Sequence, residues 1–348
     1  MPLDLPPDEA ARFHTSGEAP AAMLDLMGTM ATQAVVAGLR LGAFELLATK
    51  PHKAEEIAVS LSADQDGLEL LLAFLTSSGY LTCDAEDRYF VLPTTKAWLG
   101  NGYGTALRLW SAMVAEFWTD LAKPISGGPR PDFYTWLGSR PIELGLFQSL
   151  QRGLAEWLAP EVLDRAVLPE GARMLLDIGG GHGWYATAFC DRYPGLKATV
   201  ADLPSALDGI TNTDQDRPAG IATHPIDLRK PDFSGLDPDV ILLFNVLHGF
   251  PRDQAEAIVH AAVRRLQSGG VVHILETTSQ PRGGVAEAAF TDGFALNLWL
   301  TQGGRLYSAE ELSGWLVKAG CAEVRGSELE RSASHTLLSA GPVPPVLR

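Results

Sequence analysis

At 348 residues, 46% hydrophobic and 20% charged, the chain has an ordinary globular composition, with room for two or three domains and a large core. Its net charge of −15 opposes DNA, RNA and anionic membranes, and its three scattered cysteines, Cys83, Cys190 and Cys321, make neither a CxxC pair nor a metal-ligand spacing. No apolar run approaches the roughly 18 residues of a membrane span, and the acidic, proline-rich start MPLDLPPDEA is unlike a leader, so a cytoplasmic protein is expected.

Residues 1–20 hold four prolines and few apolar side chains, which predicts a mobile arm. From Ala21 to Leu47 the spacing is helical, with Leu24, Met27, Ala31, Val35, Leu39 and Phe44 near one stripe and Gly42 marking a break. That stripe is wide enough to pack on two sides, as in an intertwined homodimer. Lys53 to Leu92 then reads as helix, turn, helix, hairpin: Ala54 to Leu61, a polar cap at Ser62-Ala63-Asp64, Gln65 to Ser78, and strands Tyr80 to Thr82 and Tyr89 to Leu92 around the turn Asp84 to Asp87. The order is that of a winged helix, yet the segment carries eight acidic residues against Lys53 and Arg88. A phosphate backbone is repelled, so a structural or dimerising role is expected, with no nucleic-acid partner.

Gly100 to Leu168 is rich in aromatic residues, with Gly127-Gly128-Pro129-Arg130-Pro131 a loop between two helical patterns. From Pro169 to about Leu338 strands alternate with helices: Met174 to Ile178, Lys197 to Ala201, Ala222 to Pro225, Val240 to Phe244, Val271 to Leu275, Ala322 to Gly326 and His335 to Leu338. This predicts an α/β fold with a doubly wound, Rossmann-like sheet whose last two strands form an antiparallel edge pair. Three regions follow: an N-terminal, mostly helical winged-helix domain over 1–105, a helical linker over 106–168, and a ligand-binding domain over 169–348.

The first strand of that sheet ends in Asp177-Ile178 and runs into Gly179-Gly180-Gly181-His182-Gly183, after which an amphipathic segment begins at Trp184. An apolar strand, a glycine turn and a helix open a βαβ unit whose turn lets a ligand approach the backbone. Gly181 to Ala186 also fits the GxGxxA pattern of dinucleotide binders. Asp202, 21 residues after Gly181 at the end of the second strand, can hold ribose hydroxyls of either cofactor class. Asp177, a carboxylate able to meet an ammonium, and Ile226-Asp227-Leu228, able to flank an adenine, favour S-adenosylmethionine. Just past the fourth strand stands Asn245-Val246-Leu247-His248-Gly249-Phe250, where His248 is the best-placed general base. Trp184 and Phe244 are aromatic neighbours for a sulfonium. His248, His260 and His273 are 12 or 13 residues apart, no compact ligand spacing, so no metal is expected.

DIGGGHG, ADLPSAL, HPIDL, NVLHGF and LTQGGRLYSAEEL, in this order, resemble the motifs of the small-molecule O-methyltransferases with an N-terminal winged-helix dimerisation domain, the plant caffeate-type and bacterial antibiotic-tailoring enzymes. The similarity runs from about residue 20 to about residue 340. It implies a class I methyltransferase sheet and a homodimer formed through the N-terminal domain. The implied activity is S-adenosylmethionine-dependent methylation of a hydroxyl on an aromatic or polyketide-like molecule of secondary metabolism. On this reading Asp177, Gly179, Gly181, Asp202, Leu203, Asp227, Leu228 and Asn245 hold the cofactor, His248 is the base and Glu276, after the fifth strand, orients it. Phe117, Trp118, Phe133, Phe147, Asp292 and Asn297 fall where relatives line the acceptor pocket.

The sequence departs from the family pattern at three places. Gly249 stands where an acidic residue usually follows the histidine, Leu306 where a glutamate is usual, and Phe244 where plant relatives have a lysine. A histidine with fewer carboxylates is a weaker base, which leaves open a relative that binds the cofactor but catalyses hydroxylation, rearrangement or C-methylation.

Overall fold

The computed structural model describes residues 5–100, 102–211 and 220–341. By its internal contacts the chain forms two units, Met1–Thr119 with Ile142–Leu150, and Asp120–Pro141 with Gln151–Arg348.

In the first unit, residues Pro7–His14, within the stretch expected to be a mobile arm, form a helix with no buried side chain. Pro7 sits at the first helical position, where its missing N–H costs nothing. Helix Ala22–Leu41 ends at Gly42, which takes the left-handed conformation at φ 81° and starts helix Ala43–Thr49. Helix Ala22–Leu41 is 20 residues long with a mean hydropathy of 1.3, so by length and composition it could cross a membrane. This corrects the expectation that no apolar run approaches such a span: Asp25 and Arg40 interrupt the helix, yet its apolar residues keep the mean at 1.3. Only 22% of the window is buried, by Ala31, Val35 and their neighbours, while Leu26 and Met30 are exposed.

Helices Ala54–Leu61 and Gln65–Ser77 follow, the second begun by Asp64, whose carboxylate accepts from the Gly67 N–H at 2.8 Å. Strands β1 (His52–Lys53), β2 (Leu81–Cys83) and β3 (Arg88–Val91) form an antiparallel sheet in the order β1-β3-β2. The hairpin was legible; two-residue β1 is too short to leave a period.

The second unit is built on β4 (Met174–Ile178), β5 (Lys197–Asp202), β6 (Ile221–Pro225), β7 (Val240–Phe244), β8 (Val271–Thr277), β9 (Val324–Glu328) and β10 (His335–Ala340). Their order is β6-β5-β4-β7-β8-β10-β9; the first five are parallel and β10 runs antiparallel to β8 and β9. Alternate residues feed two cores. Leu176, Ile178, Ile241, Leu243, Val272 and Ile274 pack with Ile258, Leu312 and Trp315 on one face. Leu175, Val240, Leu242, Phe244 and Leu275 pack with Leu158, Tyr185 and Phe189 on the other. Chain order reverses between β4 and β7, which opens a crevice at their carboxyl ends.

Candidate active site

The turn after β4 is tight because its residues are small. Gly179 adopts φ 70°, and a Cβ there would overlap Cγ2 of Val246, so the turn after β4 interlocks with the turn after β7. A Cβ on Gly180 would lie 2.5 Å from the Asp177 carboxylate. Asp177 is 1% exposed, and neither carboxylate oxygen has a hydrogen-bond partner among the described residues. Burial, with the charge of Asp202 added, pushes its carboxyl up to about 7; the Ala186 N–H in the next helix pulls the other way without completing a hydrogen bond. Asn245, just past β7, is held at φ 53° by its N–H to the Leu275 carbonyl (2.7 Å), and its buried Oδ1 is likewise without a partner among the described residues. A buried carboxylate and a buried amide oxygen with no donors are costly. A cationic or hydrogen-bond-donating ligand group would relieve both.

Asp202 closes the other side of the turn, its Oδ2 accepting from the Gly181 N–H at 2.8 Å and its Oδ1 from the Leu203 N–H at 2.7 Å. Burial raises its carboxyl above the ordinary range, and these two N–H groups oppose the rise. The Ile226 N–H donates to the Asp202 carbonyl (2.8 Å), which ties the segment Ile226-Asp227-Leu228 to the end of β5. Leu228 is buried, while the Asp227 carboxylate turns to the Arg229 guanidinium (2.8 Å), whose hydrogen bonds hold its pKa low. His182 accepts the Trp184 N–H on Nδ1 (3.2 Å) and so shapes the turn. The Trp184 ring carries Arg152 above it at 4.9 Å, and Phe244 meets Tyr185 edge-on at 4.8 Å.

Past β7, a single helical turn, Leu247–Gly249, presents His248. Its Nδ1 is 2.5 Å from Oε2 of Glu276, near the end of β8. The other oxygen, Oε1, accepts the Val246 and Leu247 N–H groups at 2.9 and 2.6 Å, so the carboxylate is fixed by the backbone of the turn that bears the histidine. With Nδ1–H donating to Glu276 Oε2, the ring presents its lone pair on Nε2.

The segment after helix Val285–Gln302 straps this turn in place. The Arg305 N–H donates to the His248 carbonyl (3.0 Å), Tyr307 Oη to the Phe250 carbonyl (2.6 Å), and a Cβ on Gly304 would overlap the His248 carbonyl oxygen. Leu306 is buried, and a Cβ on Gly249 would stand 2.9 Å from Gln302 Oε1.

Of the residues expected to line an acceptor pocket, the buried Asn297 and the exposed Asp292 lie on helix Val285–Gln302. Phe117, Trp118 and Phe147 belong to the first unit. Phe133, in helix Phe133–Gly138, is buried and stacked on Trp136 at 6.0 Å. Two aromatic residues that periodicity did not single out lie on the same helix as Asn297: Phe294 meets the His248 ring edge-on at 5.7 Å, and Phe290 stacks on Phe294 at 6.3 Å. Their spacing of four along one helix was the available signal.

A family model described as an O-methyltransferase domain matches residues 136–322, and one described as an O-methyltransferase dimerisation domain matches residues 24–101. The chain is 31% identical to a 3-hydroxy-5-methyl-1-naphthoate 3-O-methyltransferase of Streptomyces sahachiroi, over 88% of this chain and 90% of that protein. It is 27% identical to the tetracenomycin polyketide synthesis 8-O-methyl transferase of Streptomyces glaucescens, over 90% and 94% of the two chains. Among solved structures it is similar in fold to the mitomycin 7-O-methyltransferase (TM-score 0.80, 21% identity, 95% of this chain and 99% of that chain) and to human N-acetylserotonin methyltransferase (TM-score 0.76, 21% identity, 94% and 99%).

Proposed function

The chain belongs to the O-methyltransferase family, with that family's dimerisation domain ahead of its catalytic domain, and on this premise we propose that it methylates a hydroxyl of a flat aromatic or polyketide-like molecule with S-adenosylmethionine as donor. The observation that carries the reading is the His248–Glu276 pair beside the glycine turn, with Glu276 fixed by two backbone N–H groups.

The residues present fit the cofactor. The orphaned Asp177 carboxylate suits the ammonium of its methionine part, and Asn245 Oδ1 offers a second acceptor. Asp202 suits the ribose hydroxyls, with Gly179, Gly181 and Leu203 supplying the close backbone and Asp227 and Leu228 the adenine side. When bound, the donor supplies an electrophilic methyl group on a sulfonium, already activated for displacement.

The protein's own task is deprotonation and alignment. Moving a proton from a phenol of pKa about 10 to an imidazole of about 6.5 is uphill by roughly 5 kcal/mol, so removal has to accompany attack. His248 Nε2 accepts the hydroxyl proton as the oxygen attacks. Glu276, through Nδ1, stabilises the imidazolium that forms. A positioned general base contributes about 10² to 10⁴ in rate, and alignment adds to this. Phe294 and Phe290 support a planar ring system as the acceptor, with Asn297 nearby in sequence on the same helix. Two of the relatives above are named for a hydroxylated methylnaphthoate and for tetracenomycin polyketide synthesis, which supports an acceptor in secondary metabolism.

The reading includes a homodimer joined through residues 24–101 and a cytoplasmic location, without nucleic-acid or membrane partners. The exposed apolar side of helix Ala22–Leu41 supports the first, and the acidity of the N-terminal unit argues against a phosphate partner. The test is transfer of an isotope-labelled methyl group from the donor to a panel of hydroxynaphthoates and hydroxylated polycyclic quinones. Label in at least one phenol ether is expected. Panel-wide absence of transfer, with S-adenosylhomocysteine also failing to bind, would overturn it.

A further inference from the structure

Side chains alternate along β4, so Asp177 points to the same face of the sheet as Leu175, the face packed by Leu158, Tyr185 and Phe189. In the neighbouring β7, Leu242 stands in register with Asp177, and both Leu242 and Phe244 feed that same face. Tyr185 is the second residue of helix Trp184–Arg192, which follows the glycine turn, and its ring meets Phe244 edge-on at 4.8 Å. The ring therefore spans from the turn after β4 to the end of β7, between the segments that hold Asp177 and Asn245.

Tyr185 is 7% exposed, and its Oη has no hydrogen-bond partner among the described residues. Burying a hydroxyl unpaired is unfavourable, and a phenylalanine would fill the same space without that cost. Three orphaned groups thus border one crevice: the Asp177 carboxylate, Asn245 Oδ1 and Tyr185 Oη. They are not alike. An ionised Asp177 and the Asn245 amide oxygen can only accept, whereas the phenol can donate. Burial, with the charge of Asp177 added, pushes the Tyr185 hydroxyl up, so it keeps its proton. An α-amino acid presents the complementary set, an ammonium that donates and a carboxylate that accepts.

We propose that Tyr185 is a cofactor-binding residue whose hydroxyl donates a hydrogen bond to the carboxylate of the methyl donor's amino-acid half, while Asp177 and Asn245 take the ammonium. The inference rests on the methyl-donor reading above. Acceptors alone would hold any amine; the added hydroxyl lets the crevice tell an amino acid from an amine without a carboxylate.

The test is calorimetric titration of full-length wild type and Tyr185→Phe with three probes: S-adenosylhomocysteine, its decarboxylated analogue, which keeps the ammonium, and 5′-methylthioadenosine, which lacks the whole amino-acid half. Loss of a hydrogen bond to a charged group predicts that Tyr185→Phe binds S-adenosylhomocysteine about 10-fold or more weakly. The two probes without a carboxylate should bind the variant within about twofold of wild type. The ligand-free variant should melt at or above wild type, because the hydroxyl it loses is unpaired in the protein. The proposal is overturned if S-adenosylhomocysteine binds both proteins within about twofold, or if the decarboxylated analogue is weakened by the same factor. A ligand-free variant that melts lower overturns it too, since the hydroxyl would then be bonded within the protein. A wild type that binds none of the three probes overturns the methyl-donor reading itself.

Discussion

The sharpest physical anomaly is a single side chain, Asp177. Its pKa near 7 lies well above the ordinary carboxylate value, so the folded ligand-free protein holds a proton that the unfolded chain releases near pH 4. Stability is therefore lost as pH rises from about 4 to about 7 and is level above that. Asp177→Asn keeps the site neutral. The ligand-free variant is expected to melt higher than wild type at pH 8, with the difference vanishing toward pH 4. Binding of an ammonium-bearing ligand requires the ionised form, so affinity for S-adenosylhomocysteine should fall as pH drops below about 7, and the variant should show a shallower slope. Equal melting at pH 8 would contradict the assignment. The ammonium role of Asp177 was read from its place before the glycines; its burial without a completed hydrogen bond was not legible in the sequence. His248 was legible from its place after the fourth strand. Glu276 was legible only through family resemblance, because a residue 28 positions away meets the histidine by the register of neighbouring parallel strands.

At the scale of elements, the strands and the glycine turn were readable because each depends on a local pattern: alternation into two cores, or a run of residues without Cβ. The strap from Gly303 to Tyr307 was not, since its role depends on two distant segments touching. There the account makes a sharp claim about Gly304. A methyl group at that position would overlap the His248 carbonyl oxygen, and the backbone must shift to accommodate it. Gly304→Ala should cost about 1 to 3 kcal/mol of stability and lower turnover at least about tenfold by displacing the base. Its calorimetric affinity for S-adenosylhomocysteine should stay within about twofold, because the turn after β4 is untouched. Parallel loss of turnover and affinity would show that the strap supports the whole site. The aromatic residues illustrate the same limit. Periodicity finds rings but not which way they face, so Phe294, which meets the His248 ring edge-on, was passed over.

At the scale of the whole molecule, the fold class and the family were both visible in five ordered motifs. The apolar character of helix Ala22–Leu41 was underestimated, because a run interrupted by Asp25 and Arg40 still averages high. Leu26 and Met30 leave that helix with an open apolar side inside the dimerisation domain. The double variant Leu26→Asp with Met30→Asp is expected to halve the mass measured by light scattering; an unchanged dimer would move the interface elsewhere. The central claim is methyl transfer driven by an imidazole that one carboxylate orients. Its most direct measurement is single-turnover product analysis by mass spectrometry, with S-adenosylmethionine and a transferable phenol, for wild type and His248→Ala. The account predicts a wild-type product heavier by one methylene group, with one S-adenosylhomocysteine formed per product, and a rate about 10² to 10⁴ lower in the variant at undiminished cofactor affinity. A product carrying an added oxygen, or a variant as fast as wild type, would contradict it.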